Sequence, residues 1–540
     1  MAFGTNISRR RFVVGLSAAA LPIGLSAGRA GEQGSIPDGE PRRGGTMTFL
    51  LPYEPPFLLS LFNPASLVLS AKMTEGLLEF DRSMTPRGQL ATDWTVSPDG
   101  LTYRFALRRG VRWHDGRDFT SADVAFSLRT LKKVHPRGRL TFANLAEIAT
   151  PNDHSVVLRL TRPTPFLLPA LSAEESPIVP YHVYRDGDPL ANPNALSPIG
   201  TGPFKFGEWS RGNYVILERN PDYWDPPRPY LDRIVARVIS DPQQRSVAFE
   251  TGTADVGYRT PVPLRDVERL RQLPTLEFET AGYTYSPPNI TCIEFNLDNP
   301  HLGRIEIRQA IAHMIDRDKI AEVVYFGQAV ACPSPIVPEL AAFHDSSPSP
   351  YPFDPDAAAK LLDDAGYPRN RDGMRFSLTL DYPADETFHH LAAFLRVMLG
   401  RAGIWVKTRG QDIGSQARRV YTDRAFDMQL ASLSNLFDPA IGVQRLFWSK
   451  NYVKGVPFSN ATHYGNPLVD KLLEDQAVET DPARRVAQWR EIQRIILHEV
   501  PDLNLVMPRW YTIANRRLKG HSDTADGLEG NLAHAYLVEK

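Results

Sequence analysis

Cysteine is scarce in this sequence, and charges of the two signs nearly cancel. Only Cys292 and Cys332 occur among 540 residues, which excludes a small fold stapled by several disulfide bonds. Whether these two cysteines pair is left open by their number alone. The formal net charge is −1 and no basic run occurs beyond residue 30, so the sequence lacks the clustered positive charge that binding to nucleic acid or anionic lipid requires. We therefore expect neither partner.

Motifs of common enzymes are missing from the chain beyond residue 45. It has no His-Glu-x-x-His and no Gly-x-Ser-x-Gly, and Gly200-Thr201-Gly202-Pro203 lacks the third glycine and helix start of a dinucleotide-binding loop. His389 and His390 are adjacent on a predicted helix and point in different directions, which is poor geometry for one metal ion. His114-Asp115 ends a predicted hairpin, which favours a turn-stabilising role over acid–base chemistry. We expect no catalytic residue, metal or cofactor.

An apolar run near the N-terminus is too short to cross a membrane. Residues 15–27 follow Ser8-Arg9-Arg10-Arg11-Phe12 and are interrupted by Pro22 and Gly24, whereas a spanning helix needs about 20 apolar residues. This order of basic, apolar and small residues is typical of an export signal, and the consecutive arginines favour the twin-arginine type. No lipid-accepting cysteine follows. The sequence predicts a cleaved signal at residues 1–30 and a free periplasmic product; a membrane anchor is the competing interpretation.

The remaining chain is predicted to form ordered strands and helices after a flexible start. Residues 31–45 are rich in glycine, proline and charge. Apolar residues alternate around Tyr103 as on a strand, and Thr120 begins a capping box for a helix. Farther along, strands alternate with capped helices, as in a strand over residues 289–296 and a helix over 304–315. This alternation indicates an α/β lobe.

Three groups of motifs resemble the solute-binding proteins of the peptide, nickel and opine transporters. They lie in order over nearly all of the chain beyond the predicted signal. The first contains Ser97-Pro98-Asp99-Gly100, Trp113-His114-Asp115-Gly116 and Phe119-Thr120-Ser121-Ala122-Asp123-Val124. The second contains Gly200-Thr201-Gly202-Pro203-Phe204 and Asn220-Pro221-Asp222-Tyr223-Trp224, and the third contains Phe295-Asn296, Arg308-Gln309-Ala310-Ile311 and Ile315-Asp316-Arg317.

The resemblance implies an α/β, three-lobed periplasmic binding protein with two mixed α/β lobes around a ligand cleft and an additional inserted domain. It places domain I in residues 46–80, 198–285 and 510–540, domain II in residues 81–197, and domain III in residues 286–509. Domains I and III would close on the solute. The implied partners are an ABC permease and its ATPase in the inner membrane, and we expect a monomer.

The cleft loops differ from those of the family's dipeptide carriers, which hold the charged ends of the ligand with an aspartate and an arginine. The loop over residues 431–437 has no acid, and Tyr382 stands in place of the arginine. Because burying an unpaired ammonium or carboxylate costs several kcal/mol, a free dipeptide is a poor candidate. Groups suited to stacking and hydrogen bonding replace these anchors. The predicted ligand-binding residues are Phe57, Tyr285, Tyr382, Asp385, Asn435, Phe437 and Trp448.

The sequence therefore predicts capture of an oligopeptide-sized organic solute and its delivery to a permease, without chemistry. An opine, a glycoside or a metal chelate stays open as the ligand, and the absence of clustered His or Cys ligands makes the metal the weakest of these. A periplasmic hydrolase is an alternative from another class and would need a nucleophile beside a base in the cleft. A peptide chaperone with this fold would need a wide exposed apolar groove.

Overall fold

The computed structural model describes residues 40–61, 66–135, 137–347, 349–457 and 459–538, so the signal predicted at residues 1–30 lies outside it. Mixed sheets and helices confirm the predicted α/β class. In these described ranges, no helix is both long enough and apolar enough to span a bilayer. Both cysteines are buried and free.

The largest sheet has seven strands drawn from distant parts of the chain. Its central strand, Thr46–Leu51, runs parallel to both of its neighbours, and Met47, Phe49 and Leu51 face one core because side chains alternate along a strand. We call this sheet, with helix Leu67–Met73 and residues 516–538, lobe I. The order across the sheet is Leu276–Glu279, Thr512–Asn515, Val256–Gly257, Thr46–Leu51, Arg233–Val238, Tyr214–Arg219 and Phe204–Ser210.

A second sheet has four antiparallel strands in one continuous part of the chain. Helix Ser121–Val134 packs on it, and the predicted capping box is present, because the Thr120 backbone N–H donates to Asp123 Oδ2 at 2.8 Å. We call this sheet, the helix and residues 163–197 lobe II. The strand order is Ala91–Val96, Thr102–Leu107, Ser155–Leu160 and Leu145–Asn152.

The third sheet has six strands and forms lobe III. Two neighbouring strands, Phe376–Pro383 and Met428–Leu433, run parallel, so their carboxyl ends meet at one edge. Strand Ile404–Gln411 is parallel to Phe376–Pro383 and pairs with it along its whole length. The order is Ala329–Ala331, Asp502–Pro508, Ile290–Phe295, Met428–Leu433, Phe376–Pro383 and Ile404–Gln411.

Aspartate caps begin many helices, as the sequence predicts. Asp316 accepts from the Lys319 N–H at 2.9 Å. The helix it caps ends at Val323, and Phe326 and Gly327 just after it adopt positive φ. The other α-helices are Gly138–Thr141, Tyr181–Tyr184, Pro242–Glu250, Val267–Arg271, Ile305–His313, Pro355–Asp364, Glu386–Arg401, Ile413–Ala417, Pro439–Gly442, Gln444–Phe447, Pro467–Gln476 and Pro482–Glu499.

The motifs near residues 200 and 220 meet at the buried carboxylate of Glu75. It accepts hydrogen bonds from Thr201 Oγ1 and the Tyr223 hydroxyl, both at 2.8 Å, and from Trp224 Nε1 at 3.0 Å. Burial raises the pKa of Glu75 to about 7, opposed by these hydrogen bonds. We call this arrangement the Glu75 hub. The motif residues therefore have a structural role at the start of lobe I.

Gly200 and His114 pack beside the Glu75 hub. A Cβ on Gly200 would lie 1.8 Å from the carbonyl oxygen of Met73, so only glycine fits there. The His114 ring accepts from the Gly200 N–H at 3.2 Å through Nδ1 and donates to the Gly202 carbonyl at 3.0 Å through Nε2. Burial lowers the pKa of His114 to about 4, which agrees with a neutral ring that makes both bonds.

Candidate functional site

A cavity of about 330 Å³ opens in lobe III beside the carboxyl ends of its parallel strands. This volume falls within the range of about 300–1,000 Å³ found for small-molecule sites. The position also fits the rule that ligands of α/β sheets bind beyond the carboxyl ends of strands. We call it the lobe III pocket. Its polar lining comes from Glu294, Asp385, Gln416, Gln429, Ser432 and Arg445.

A chain of hydrogen bonds fixes one wall of the lobe III pocket. Gln416 Nε2 donates to Gln429 Oε1 at 3.0 Å, and Gln429 Nε2 donates to the carboxylate of Glu294. Burial raises the pKa of Glu294, and the bond from Gln429 partly offsets this. The wall is therefore polar and held in place by buried groups, which suits the orientation of a ligand.

Arg445 supplies the cation in the described lining of the lobe III pocket. Burial lowers its pKa, while Tyr421 and Glu294 nearby act in the opposite direction. Arginine stays charged in proteins and presents a planar fork of donors, so Arg445 can bind a carboxylate or carbonyl oxygen of a solute. The pocket thus combines donors and acceptors around an apolar floor.

Tyr285 lies where the lobes meet. Its ring packs on Phe80 at 5.9 Å and on Phe437 of lobe III at 4.9 Å between centroids. Its hydroxyl donates to the carbonyl of Pro169 in lobe II at 2.6 Å. We call this contact region the seam. Charged groups surround the seam. Five are buried, Lys72, Glu174, Glu175, Asp526 and Glu529, and two are partly buried, Arg137 and Arg259.

Two of the sequence-predicted residues line cavities. Asp385 lines the lobe III pocket and caps helix Glu386–Arg401, accepting from the Phe388 N–H at 2.9 Å. Burial raises the pKa of Asp385. Trp448 lies elsewhere, in a groove of about 450 Å³ between lobes II and III, where its indole N–H donates to Glu474 at 3.0 Å.

The other predicted residues are engaged within the protein. Asn435 is fully buried, and its amide bonds the backbone of Pro335 at 3.0 Å and of Val337 at 2.7 Å. The Tyr382 hydroxyl lies 3.0 Å from His389 Nδ1. Phe437 and Tyr285 form the seam, and Phe57 is half-buried before helix Leu67–Met73. Ligand contact by these residues stays a prediction.

Several residues of the pocket and the seam were not predicted from the sequence. Glu294 is a carboxylate in the otherwise uncharged strand Ile290–Phe295, and Glu174-Glu175 interrupt an apolar, proline-rich segment. A charge inside a buried segment needs a partner or a function, so these positions did contain a signal. Arg445 falls in a four-residue helix, Gln444–Phe447, whose pattern is too short to show which side is buried.

Comparison with known proteins finds long matches. Residues 85–455 match the family described as "Bacterial extracellular solute-binding proteins, family 5 Middle". Glutathione-binding protein GsiB of Shigella flexneri serotype 5b (strain 8401) is 26% identical over 489 residues, which cover 88% of this chain and 90% of that protein.

Solved structures match over similar lengths. The periplasmic binding protein DppA from Helicobacter pylori, in complex with the peptide STSA, superposes with a TM-score of 0.77 at 25% identity, covering 92% of this chain and 99% of that one. NikZ from Campylobacter jejuni, in complex with Ni(L-His), has a TM-score of 0.79 at 23% identity and covers 91% and 99%.

Proposed function

Because this chain belongs to the family 5 bacterial extracellular solute-binding proteins, we propose that it captures an oligopeptide-sized organic solute and delivers it to an ABC permease. The family predicted from the motifs is confirmed, and the structural matches confirm the lobed binding-protein fold. Members of this family are solute-binding proteins rather than enzymes.

The lobe III pocket is the observation that carries the proposal. It offers about 330 Å³ of space, the guanidinium of Arg445, the amides of Gln416 and Gln429, and the carboxylate of Asp385. These groups complement the alternating donors and acceptors of a peptide-like solute. A peptide in DppA and glutathione in the name of GsiB support a solute of this kind.

We propose that the solute lies against the lobe III pocket and that closure of lobe I over it withdraws it from water. Arg445 binds an oxygen of the solute, and Asp385 and Ser432 contact it at the mouth of the pocket. The remaining predicted residues support or extend this site, and they are Phe57, Tyr285, Tyr382, Asn435, Phe437 and Trp448.

The proposal includes the rest of the sequence prediction. Residues 1–30 act as a twin-arginine signal, and the mature chain acts as a monomer in the periplasm with an inner-membrane permease and its ATPase. Domain I comprises residues 46–80, 198–285 and 510–540, domain II residues 81–197, and domain III residues 286–509. The three larger sheets draw their strands from these respective ranges, which supports the division.

A pair of matched variants tests the pocket. Ser432 and Ser377 are both exposed serines on strands of lobe III, but only Ser432 lines the pocket. We expect Ser432→Trp to fill the cavity and reduce solute affinity at least about tenfold, because the ligand loses its space. Ser377→Trp should bind as the unaltered protein does. Equal binding by both variants in isothermal titration calorimetry contradicts the proposed site.

A further inference from the structure

Two adjacent buried glutamates at the seam differ in their partners. Glu175 accepts from Arg137 Nε at 2.9 Å and from Thr141 Oγ1 at 2.8 Å. Glu174 is only 5% exposed, yet its Oε2 has no hydrogen-bond partner among the described residues. A buried carboxylate oxygen without a partner costs free energy, so such a group calls for an explanation.

Two carboxylates of lobe I act on Glu174. Burial raises the pKa of Glu174, and Glu529 and Asp526 add to the rise. Asp526 is itself 9% exposed, and its Oδ1 has no hydrogen-bond partner in the described structure. Glu529 pairs with Arg259 at 2.9 Å. Lys72 directs its ammonium to the backbone carbonyls of Leu528 and Gly530, at 2.6 Å for Gly530. The unpartnered oxygens therefore come from two lobes.

The cations of this region already have partners. Arg137 is held by Glu175, Arg259 by Glu529, and Lys72 by backbone carbonyls. Glu174 and Asp526 are left without a hydrogen-bonded cation from this group.

Arg259 lies beside these carboxylates in a turn of unusual backbone conformation. Arg259 and Thr260 both adopt φ of 53°, a strained left-handed conformation for residues other than glycine. This turn sends the guanidinium into the seam. Its carbon Cζ lies 4.6 Å from the Trp510 ring centroid, and its Nε has no partner in the described part of the chain.

We propose that Glu174, together with Asp526 of lobe I, binds a cationic group of the transported solute, an ammonium or a guanidinium. This inference rests on the proposed function and specifies in addition that the solute carries a positive charge. The two carboxylates reach the seam from different lobes, Glu174 from lobe II and Asp526 from lobe I, so the site depends on the contact between these two lobes. The donors of an ammonium or guanidinium would satisfy the unpartnered oxygens by charge-assisted hydrogen bonds.

An organic cation fits this site better than a metal ion. In the residues that the structure describes, no group of three or more His, Cys, Asp or Glu side chains is arranged to hold a metal. Burial raises the pKa of Glu174 well above its ordinary value, with Glu529 and Asp526 adding to the rise and Arg137 and Arg259 opposing it. A bound cation supplies the missing counter-charge.

Two probes that differ by one charge test the assignment. The acetylated tripeptide amides glycyl-lysyl-glycine and glycyl-norleucyl-glycine have neutral ends, and only the first has an ammonium. We expect the wild-type chain to bind the lysyl probe at least tenfold more tightly in calorimetry. Glu174→Gln should abolish this preference while leaving the melting temperature unchanged or higher, because no hydrogen bond to Oε2 is lost. Asp526→Asn should reduce the preference in the same direction.

Glu175→Gln is the matched control. It weakens the pair with Arg137 and should lower the melting temperature, but it should keep the preference for the lysyl probe. A preference that survives Glu174→Gln, or failure of the lysyl probe to bind wild-type protein, overturns the cation assignment. The proposed function is judged separately, by whether protein purified from its own cells retains any solute, so the two failures are distinguishable.

Discussion

Removal of the Glu75 carboxylate should destabilise the protein more than any surface substitution. In Glu75→Ala, Thr201, Tyr223 and Trp224 each lose the acceptor that lies 2.8–3.0 Å away. Each buried donor left unpaired costs about 1–3 kcal/mol. Since some water can enter the gap, we expect the free energy of unfolding to fall by at least roughly 3 kcal/mol.

Urea unfolding followed by tryptophan fluorescence at pH 6 measures this loss. Glu208→Ala is the control, since Glu208 is exposed and also accepts from a tyrosine hydroxyl, that of Tyr214 at 3.0 Å; it should change stability by less than about 0.5 kcal/mol. If the free energy of unfolding that Glu75→Ala loses lies within about 1 kcal/mol of the change in Glu208→Ala, the reasoning about unpaired buried donors is refuted.

The same carboxyl group predicts a pH dependence. Its pKa of about 7 in the folded protein exceeds the ordinary glutamate value of 4.5, so the folded state binds the proton more tightly. The stability that this provides is fully present below pH 4.5 and is lost as pH rises through about 7. The difference corresponds to roughly 3 kcal/mol at about 1.4 kcal/mol per pKa unit. Glu75→Gln should lack this decline in urea unfolding between pH 4.5 and 7.5; parallel pH profiles contradict it.

Three further changes have expected outcomes. Gly200→Ala should lower the melting temperature, because its Cβ would lie 1.8 Å from a backbone oxygen. Gly400→Ala, in an open helical position, should instead stabilise the protein by about 0.5–1 kcal/mol. The reverse order of melting temperatures in calorimetry contradicts this. Burial raises the pKa of Asp502 to about 8, and Glu294 adds to the rise, so the stability of the wild-type protein falls as pH rises towards 8. The melting temperature of Asp502→Asn should therefore rise relative to that of the wild type between pH 5 and 8. Equal melting-temperature differences at both pH values count against that. Tyr285→Phe should cost about 1 kcal/mol in urea unfolding, because the Pro169 carbonyl loses its donor, and no loss contradicts that role.

Local patterns were enough to predict the fold class. Helix starts can be predicted from capping residues, because the hydrogen bonds they make span only a few residues. Examples are Thr120 with Asp123, and Asp316 before its helix. The longer motifs also predict the family, because they contain residues such as Gly200 and Tyr223 that the packing around Glu75 requires. Such requirements leave a recognisable order of residues in the chain.

The ligand site was harder to predict because its groups come from distant segments. Glu294, Gln429 and Arg445 meet in one pocket although more than 100 residues separate the first from the others. No local period relates them. Asn435 shows the converse, because a polar residue in a cleft loop proved to hold the backbone at Val337. Its sequence position gives no indication of which way the amide points.

Native mass spectrometry of the protein purified from its own cells tests solute capture most directly. We expect the wild-type chain to retain an organic molecule that is released on unfolding, and the Ser432→Trp variant from the same cells to lack it while Ser377→Trp retains it. A wild-type protein with the mass of the chain alone, which also gains no mass with any peptide offered, contradicts capture at the lobe III pocket.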